Sequence, residues 1–397
     1  MTTSTGGQQE LRVAMVGHGF MGAAHSQAWR VAPHFFDLPL EVRRSVVVGR
    51  DAGRAAAAAA KFGWESSATD WQEVVSRDDV DLVDVVAPGD AHAQVAIAAL
   101  EAGKHVLCEK PLGNTLAEAE AMNAAAEKAA ASGAKAMVGF SYRRVPAVAF
   151  ARQLVAEGAV GQVRQVRASY LQDWLSDASA PMTWRLDKKL AGSGALGDIG
   201  AHAIDLVQHV LGTEIATVSG LMHTFVTERP LSGGRGLSAS SAGGAGDEVG
   251  KVTVDDAAMA MARTTEGALV SLEASRFATG RKNGLHLEVY GSDGAIVFDL
   301  EDMNVLDVYD AREGADRQGF KRVLVTEPEH PWMAGWWPAG HIIGYEHTFT
   351  HQVVDLVGDV AAGRQPSPSF AEGLQVQRVL DALERSSNEG SAWTPTS

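Results

Sequence analysis

Cysteine is almost absent from this chain: Cys108 is the single one among 397 residues. That excludes a disulfide framework and a cysteine-based zinc cluster, and it fits a reducing compartment. Basic residues are also scarce, 34 Lys+Arg against 49 Asp+Glu, for a net charge of −15. Binding along a phosphate backbone needs dense Lys and Arg on one face, so no nucleic acid partner is expected. No apolar run approaches the roughly 18 residues that span a bilayer, so no membrane partner is expected either. The first ten residues are polar, with neither a basic region nor an apolar signal core, and a cytoplasmic location is the expectation. What is present is ordinary globular content, 46% hydrophobic against 21% charged, in a chain long enough for two or three domains. No metal is expected.

Strands and helices alternate through the first third. Apolar runs predict strands at 11–16, 45–48, 82–86, 105–108 and 136–140, with helices at 23–31, 54–62, 91–102 and 116–131. Alternation at this spacing gives an α/β domain with a parallel, doubly wound sheet, ending near residue 145. After a helix at 146–157 the pattern changes to strand-like runs at 163–171, 216–224, 257–264, 268–274, 285–290, 295–299 and 305–309. Hairpin-linked strands with few helices predict an α+β domain built on a large, mostly antiparallel open sheet, completed by helices near 344–363 and 372–387. The expected organisation is a disordered tail at 1–10, a first domain at 11–145 and a second at 146–397. Residues 232–250, nearly devoid of large apolar side chains, read as a mobile loop.

Three segments carry chemistry. Gly17-His18-Gly19-Phe20-Met21-Gly22 joins the first strand to the first helix. There Gly17 permits a tight turn, Gly19 lets a pyrophosphate approach the backbone, and Gly22 lets helix and strand pack closely, which is the Rossmann dinucleotide fingerprint. An acidic residue at the end of the second strand would hold ribose hydroxyls; this chain has Gly49-Arg50 instead. A cation there accommodates a 2′-phosphate, so NADP is favoured over NAD, unless Asp51 turns inward to bind the ribose. The fourth strand runs into Glu109-Lys110-Pro111, and Lys110 at a strand end can stabilise a developing alkoxide; a surface pair with Glu109 is the plainer alternative. Finally, in 193–205 a helix would put Asp198, His202 and Asp205 at i, i+4 and i+7 on one face, a plausible proton relay. The competing readings are Asp198 as a helix N-cap and His202 as a core residue.

The start of the first domain with His25, the segment 102–112 (Ala-Gly-Lys-His-Val-Leu-Cys-Glu-Lys-Pro-Leu) and Gly-Asp-Ile-Gly-Ala-His-Ala-Ile-Asp (197–205) together resemble the glucose–fructose oxidoreductase, inositol dehydrogenase and rhizopine-catabolism family. The resemblance covers nearly the whole chain. It implies an NAD(P)-dependent oxidoreductase moving hydride between nicotinamide and a secondary alcohol of a sugar, anhydrosugar or cyclitol, with Lys110, Asp198 and His202 around the reacting carbon. It also implies dinucleotide contacts from Phe20, Met21, Pro88, His92 and Glu109. Where the family commonly has Thr-Pro-Asn-x-x-His, this chain reads Ala87-Pro88-Gly89-Asp90-Ala91-His92.

Tyr142 and Arg143 follow the fifth strand and are expected to line the ligand crevice. Tyr170, Asp173, Trp174, Trp184 and Arg185 resemble the branch of the family that acts on an anhydrosugar. Indole faces suit the C–H faces of sugars, although both tryptophans would also serve as core. Two other activities on the same fold compete: a redox-neutral, NAD-dependent glycosidase and a non-catalytic sugar sensor. Alternating residues such as Val270, Leu272 and Ala274 against Leu269, Ser271 and Glu273 predict a sheet with one uncovered face, hence a homodimer or homotetramer through the second domain.

Overall fold

The computed structural model describes residues 9–231 and 248–397. The chain divides into two compact units, Met1–Arg144 with Ile343–Leu374, and Val145–Ile342 with Gln375–Ser397. The division at 144 lies beside the boundary read from sequence. The tract 343–374, placed by sequence order in the second domain, packs with the first unit instead.

The first unit runs β1 (Glu10–Val16), α1 (Phe20–Phe35), β2 (Glu41–Val48), α2 (Ala52–Phe62), β3 (Ser66–Ala68), α3 (Trp71–Val75), β4 (Leu82–Val85), α4 (His92–Glu101), β5 (His105–Cys108), α5 (Leu116–Ala130) and β6 (Ala136–Val138). Glu10, assigned from sequence to the tail, opens β1; residues 1–8 of that tail lie outside the described residues. The strands pair in the order β3-β2-β1-β4-β5-β6, every pair parallel. Strands buried on both faces are mostly apolar, and β4 and β5 are buried at every position, with Asp84 and His105 their two polar residues. The strand order reverses between β1 and β4, so the crevice for a ligand opens at their carboxyl ends.

In the second unit follow α6 (Pro146–Ala156), β7 (Val163–Leu171), α7 (Lys188–Ala191), α8 (Ala201–Leu211), β8 (Ile215–His223), β9 (Glu228–Pro230), β10 (Val249–Lys251), β11 (Ala257–Thr264), β12 (Leu269–Ser275), β13 (Gly284–Gly291), β14 (Gly294–Asp299), β15 (Val305–Asp310) and β16 (Lys321–Leu324). Beyond them come α9 (Tyr345–Ala361), α10 (Phe370–Asn388) and β17 (Thr394–Pro395). Nine strands form one sheet, β16-β15-β14-β13-β7-β12-β11-β8-β17, antiparallel except for the parallel pair β7–β12. β9 and β10 form a separate ribbon. Val249 and Gly250, read as part of a mobile loop, are therefore strand residues; 232–247 lie outside the described residues.

The return of 343–374 to the first unit has a clear physical basis. On α9, Phe349, Val353, Leu356 and Val357 are buried in the same apolar cluster as Leu11, Met15 and Trp29. The Pro368 carbonyl accepts from the Val138 N–H at 2.8 Å, extending the hydrogen bonding of the edge strand β6. No helix among the described residues is long and apolar enough to cross a membrane.

Candidate active site

Each glycine after β1 meets a different constraint. Gly17 has φ +110°, and a Cβ there would lie 2.7 Å from the Val86 carbonyl oxygen. A Cβ on Gly22 would lie 2.9 Å from the Gly17 carbonyl oxygen, so helix and turn touch through backbone alone. Gly19, the N-cap of α1, faces nothing within 4 Å. An open space over a helix N-terminus is where a pyrophosphate approaches N–H groups without steric cost, so these residues fit a dinucleotide. Phe20 is exposed beside that space and stacks on Tyr345, 6.5 Å between ring centroids, while Met21 packs against the core.

At the end of β2, the His18 ring occupies the space that a side chain at Gly49 would need. Arg50 is exposed, and Asp51 is engaged as the N-cap of α2, its Oδ1 accepting from Arg54 N–H at 2.8 Å. His18 was not singled out in the sequence; a histidine between two motif glycines is the signal that was there to read.

Beyond β4, His92 bridges two turns. Its Nδ1 lies 2.9 Å from the Pro111 carbonyl and its Nε2 3.0 Å from that of Ala87, tying the turn after β4 to the turn after β5. Pro88 is exposed and precedes a short 3-10 turn, Gly89–Ala91. At Gly89 the space for a side chain is filled by the Asn114 amide. After β5, Glu109 is buried and Lys110 half-buried.

Arg143, expected in the ligand crevice, ties two parts of the first unit together. Its guanidinium is buried and donates to Glu372 Oε1 at 2.5 Å and Ser367 Oγ at 3.2 Å, which holds 343–374 on the first unit. Tyr142 sits edge-on to Tyr345, 6.2 Å between centroids, and Tyr345 in turn packs edge-on against Phe349. Burial, with Tyr142 and Glu109 nearby, pushes the Tyr345 phenol up, so it stays protonated. Tyr345 lies some 200 residues downstream of Tyr142, and no local pattern could have paired them.

In the second unit the segment bearing Asp198 is not regular α-helix. Leu196–Gly200 forms a π-turn that leads into α8, where His202 and Asp205 are buried. Such turns widen the helix locally, and Asp198 sits within this one while His202 lies in the first turn of the α-helix that follows. In place of Asp198 as a cap, Asp255 accepts from the N–H groups of Gly194 at 2.7 Å and Leu196 at 2.8 Å. Burial pushes that carboxyl up, against the pull of Arg276. Arg276, missed in the sequence, is fully buried with Nη1 3.7 Å from Asp198 Oδ2. The His202 ring meets Tyr170 edge-on, 5.9 Å between centroids, and the Tyr170 hydroxyl donates to Asn283 Oδ1 at 2.7 Å.

Trp174 lies against Arg276, and Arg185 is close enough to Asp198 and Arg276 to feel their charges. The Arg276 guanidinium carbon lies 5.6 Å from the Trp174 ring centroid, and the Trp174 N–H donates to Gln172 Oε1 at 3.0 Å. Arg185 stacks over Trp184 at 4.4 Å. Asp173 Oδ2 accepts from Lys282 Nζ at 2.8 Å and Gly280 N–H at 3.0 Å, a local clamp on the 280–282 turn that holds its pKa below the usual carboxylate range. Among the described residues no group of His, Cys, Asp and Glu has a metal-holding arrangement.

Two family matches cover most of the chain. The oxidoreductase family with an NAD-binding Rossmann fold matches residues 11–140, and the GFO/IDH/MocA C-terminal domain matches 148–297. Levoglucosan dehydrogenase of Pseudarthrobacter phenanthrenivorans is 43% identical over 381 residues, 95% of this chain and 96% of that one. Among solved structures, an oxidoreductase domain protein from Kribbella flavida superposes with a TM-score of 0.93 at 59% identity, covering 98% of this chain and all (100%) of the other. Levoglucosan dehydrogenase in complex with NADH and levoglucosan gives 0.91 at 41% identity, with 98% and 99% covered.

Proposed function

Because the chain belongs to the GFO/IDH/MocA oxidoreductases, we propose that its substrate is an anhydrosugar of the levoglucosan type or a closely related sugar, oxidised at a secondary alcohol. One observation carries this reading: the likeness to levoglucosan dehydrogenase runs through both units, over 95% of the chain. The Gly17–Gly22 turn would hold the pyrophosphate of a dinucleotide, whose nicotinamide would supply the hydride acceptor. His202 takes the hydroxyl proton, Asp198 stabilises the resulting imidazolium, and Lys110 steadies the alkoxide. Tyr170, edge-on to His202, and the Trp174 and Trp184 faces supply sugar contacts. The cofactor pool this requires places the activity in the cytoplasm.

A panel of anhydrosugars, sugars and inositols, assayed with NAD and NADP, tests the proposal. The expected result is one reduced nicotinamide per sugar oxidised. Turnover of aryl glycosides with only catalytic NAD would mark a glycosidase, and sugar binding without turnover would mark a sensor.

For the cofactor, we infer that NADP is accepted at least as well as NAD. Gly49 presents no carboxylate to repel a 2′-phosphate, Asp51 is engaged on α2, and Arg50 is exposed at the strand end. Charge-assisted hydrogen bonds from a guanidinium are worth about 1.5–3 kcal/mol each. Arg50→Ala should therefore weaken NADP about tenfold or more relative to NAD, by titration of both cofactors. An unchanged ratio means Arg50 points to solvent and sets no preference.

The same reading includes self-association through the nine-stranded sheet. Val270, Leu272 and Ala274 are buried beneath the π-turn and α8, while on the opposite face Leu221, Met259 and Met261 are 57–59% exposed. Apolar surface of that extent on a sheet face marks an interface. Light scattering at micromolar concentration should give a dimer or tetramer of the 41.8 kDa chain, and Met259→Glu with Met261→Glu should reduce it to monomer. A monomeric wild type contradicts the interface.

A further inference from the structure

Three ionisable side chains meet in the interior of the first unit, where apolar residues would pack at lower cost. His25 on α1, Asp84 on β4 and Glu109 after β5 are 1%, 0% and 4% exposed. His25 Nδ1 lies 3.0 Å from both oxygens of Asp84, and its Nε2 lies 3.0 Å from Glu109 Oε1. The Trp29 indole N–H donates to Asp84 Oδ2 at 2.7 Å. Ionised carboxylates only accept hydrogen bonds, so a ring bonded to one through each nitrogen must donate from both, which only the imidazolium can do.

Burial opposes that charge, but Asp84 and Glu109 outweigh it and push the His25 pKa up to about 10. The other titratable groups close by do not compete. Burial, with Glu109 and Asp84 beside it, pushes the Cys108 thiol up, and burial does the same to the Tyr345 phenol on α9. Phe349 of α9 packs at a tilt against the imidazole, 5.5 Å between centroids.

The bridge immobilises Glu109 from its side chain. The main chain at 109 is fixed as well: its N–H donates to Val85 O at 2.9 Å, and Gly139 N–H donates to Cys108 O at 2.7 Å. Gly139 also leaves the room that the Glu109 carboxylate occupies. The next residue is Lys110. We propose that His25 is a positioning residue, an imidazolium that locks Glu109 to Asp84 and thereby sets the backbone from which Lys110 projects; this rests on the reading of Lys110 as the residue that steadies the alkoxide. The bridge also joins α1, which begins at the dinucleotide turn, to the lysine-bearing turn after β5, so the two functional segments are held in one register.

Two measurements test it. In wild-type protein, nitrogen NMR of His25 should show both ring nitrogens protonated from about pH 6 to about pH 9, beyond the range of an ordinary histidine; a neutral tautomer at about pH 8 overturns the proposal. In His25→Gln/Asp84→Asn, which removes the imidazolium together with one carboxylate so that the net charge of the buried cluster is unchanged and the Gln amide can still donate to Glu109, kcat should fall about tenfold or more. Dinucleotide Kd and sugar KM should stay within about threefold of wild type, a split that a general loss of stability does not produce. A kcat within about threefold of wild type overturns it. Lys110→Ala in the same assay separates the two readings. If it keeps wild-type turnover, the role given to Lys110 fails. If it loses turnover while the His25 variant does not, the positioning role alone fails.

Discussion

Lys110→Ala and His202→Ala are each expected to lower kcat by about 10²-fold or more, with dinucleotide binding retained. Lys110 follows directly on β5, at the carboxyl end of a parallel strand, where α/β sheets present groups to ligand. In the proposed role its ammonium matters as alkoxide charge develops, so its loss should appear in kcat more than in KM. His202 is buried on α8 against Tyr170 and is not a solvated surface imidazole. If His202 is the proton acceptor as proposed, removing it leaves bulk water to take the proton, and water replaces a buried base poorly. Steady-state kinetics with fluorescence titration of the dinucleotide check both. Wild-type turnover in both variants would sink the assigned chemistry.

Gly17 and Gly19, on one turn, should both matter for the dinucleotide but differ in stability. In Gly17→Ala, a Cβ at φ +110° would press on the Val86 carbonyl oxygen at 2.7 Å, and on backbone no rotamer change relieves the contact. Backbone strain of this kind costs about 1–3 kcal/mol before any displacement of the strand end. The unfolding midpoint should drop by about 5–10 °C, and dinucleotide affinity should drop with it. In Gly19→Ala the new methyl meets nothing within 4 Å, so the midpoint should hold to within about 1 °C. Yet dinucleotide affinity should fall about 10²-fold, because the methyl occupies the space for the pyrophosphate. Calorimetry and dinucleotide titration on both variants decide the matter; unchanged affinity in Gly19→Ala means the pyrophosphate does not lie on this turn.

Much of this fold was legible because its strands are short apolar runs bounded by glycine, proline or charge. The runs at 105–108, 163–171 and 257–264 carry their register in plain alternation or continuous burial, and each is a strand with those bounds. β3, Ser66–Ala68, has no apolar pattern to read, since as an edge strand of three residues it is held by hydrogen bonds to β2. The placement of 343–374 depended on pairings such as Arg143 with Glu372 and Phe349 with the Trp29 cluster, which join residues hundreds apart and leave no local trace. The π-turn at 196–200 was hidden for a different reason: Asp255, some 60 residues on, caps it, and local periodicity reads only as helix. One overlooked signal was available. An aspartate inside the otherwise apolar run Leu82-Val83-Asp84-Val85 demands a buried partner, and His25 is that partner.

The central claim is that this chain moves hydride from a sugar carbon to a nicotinamide. Levoglucosan deuterated at each secondary carbon in turn, incubated with NAD or NADP, tests it directly by the mass of the reduced cofactor. The account predicts that one labelled position, and one alone, delivers its deuterium to the dinucleotide and slows turnover by a primary isotope effect. Oxidation or cleavage of the sugar with no deuterium in the cofactor pool at any position would contradict it.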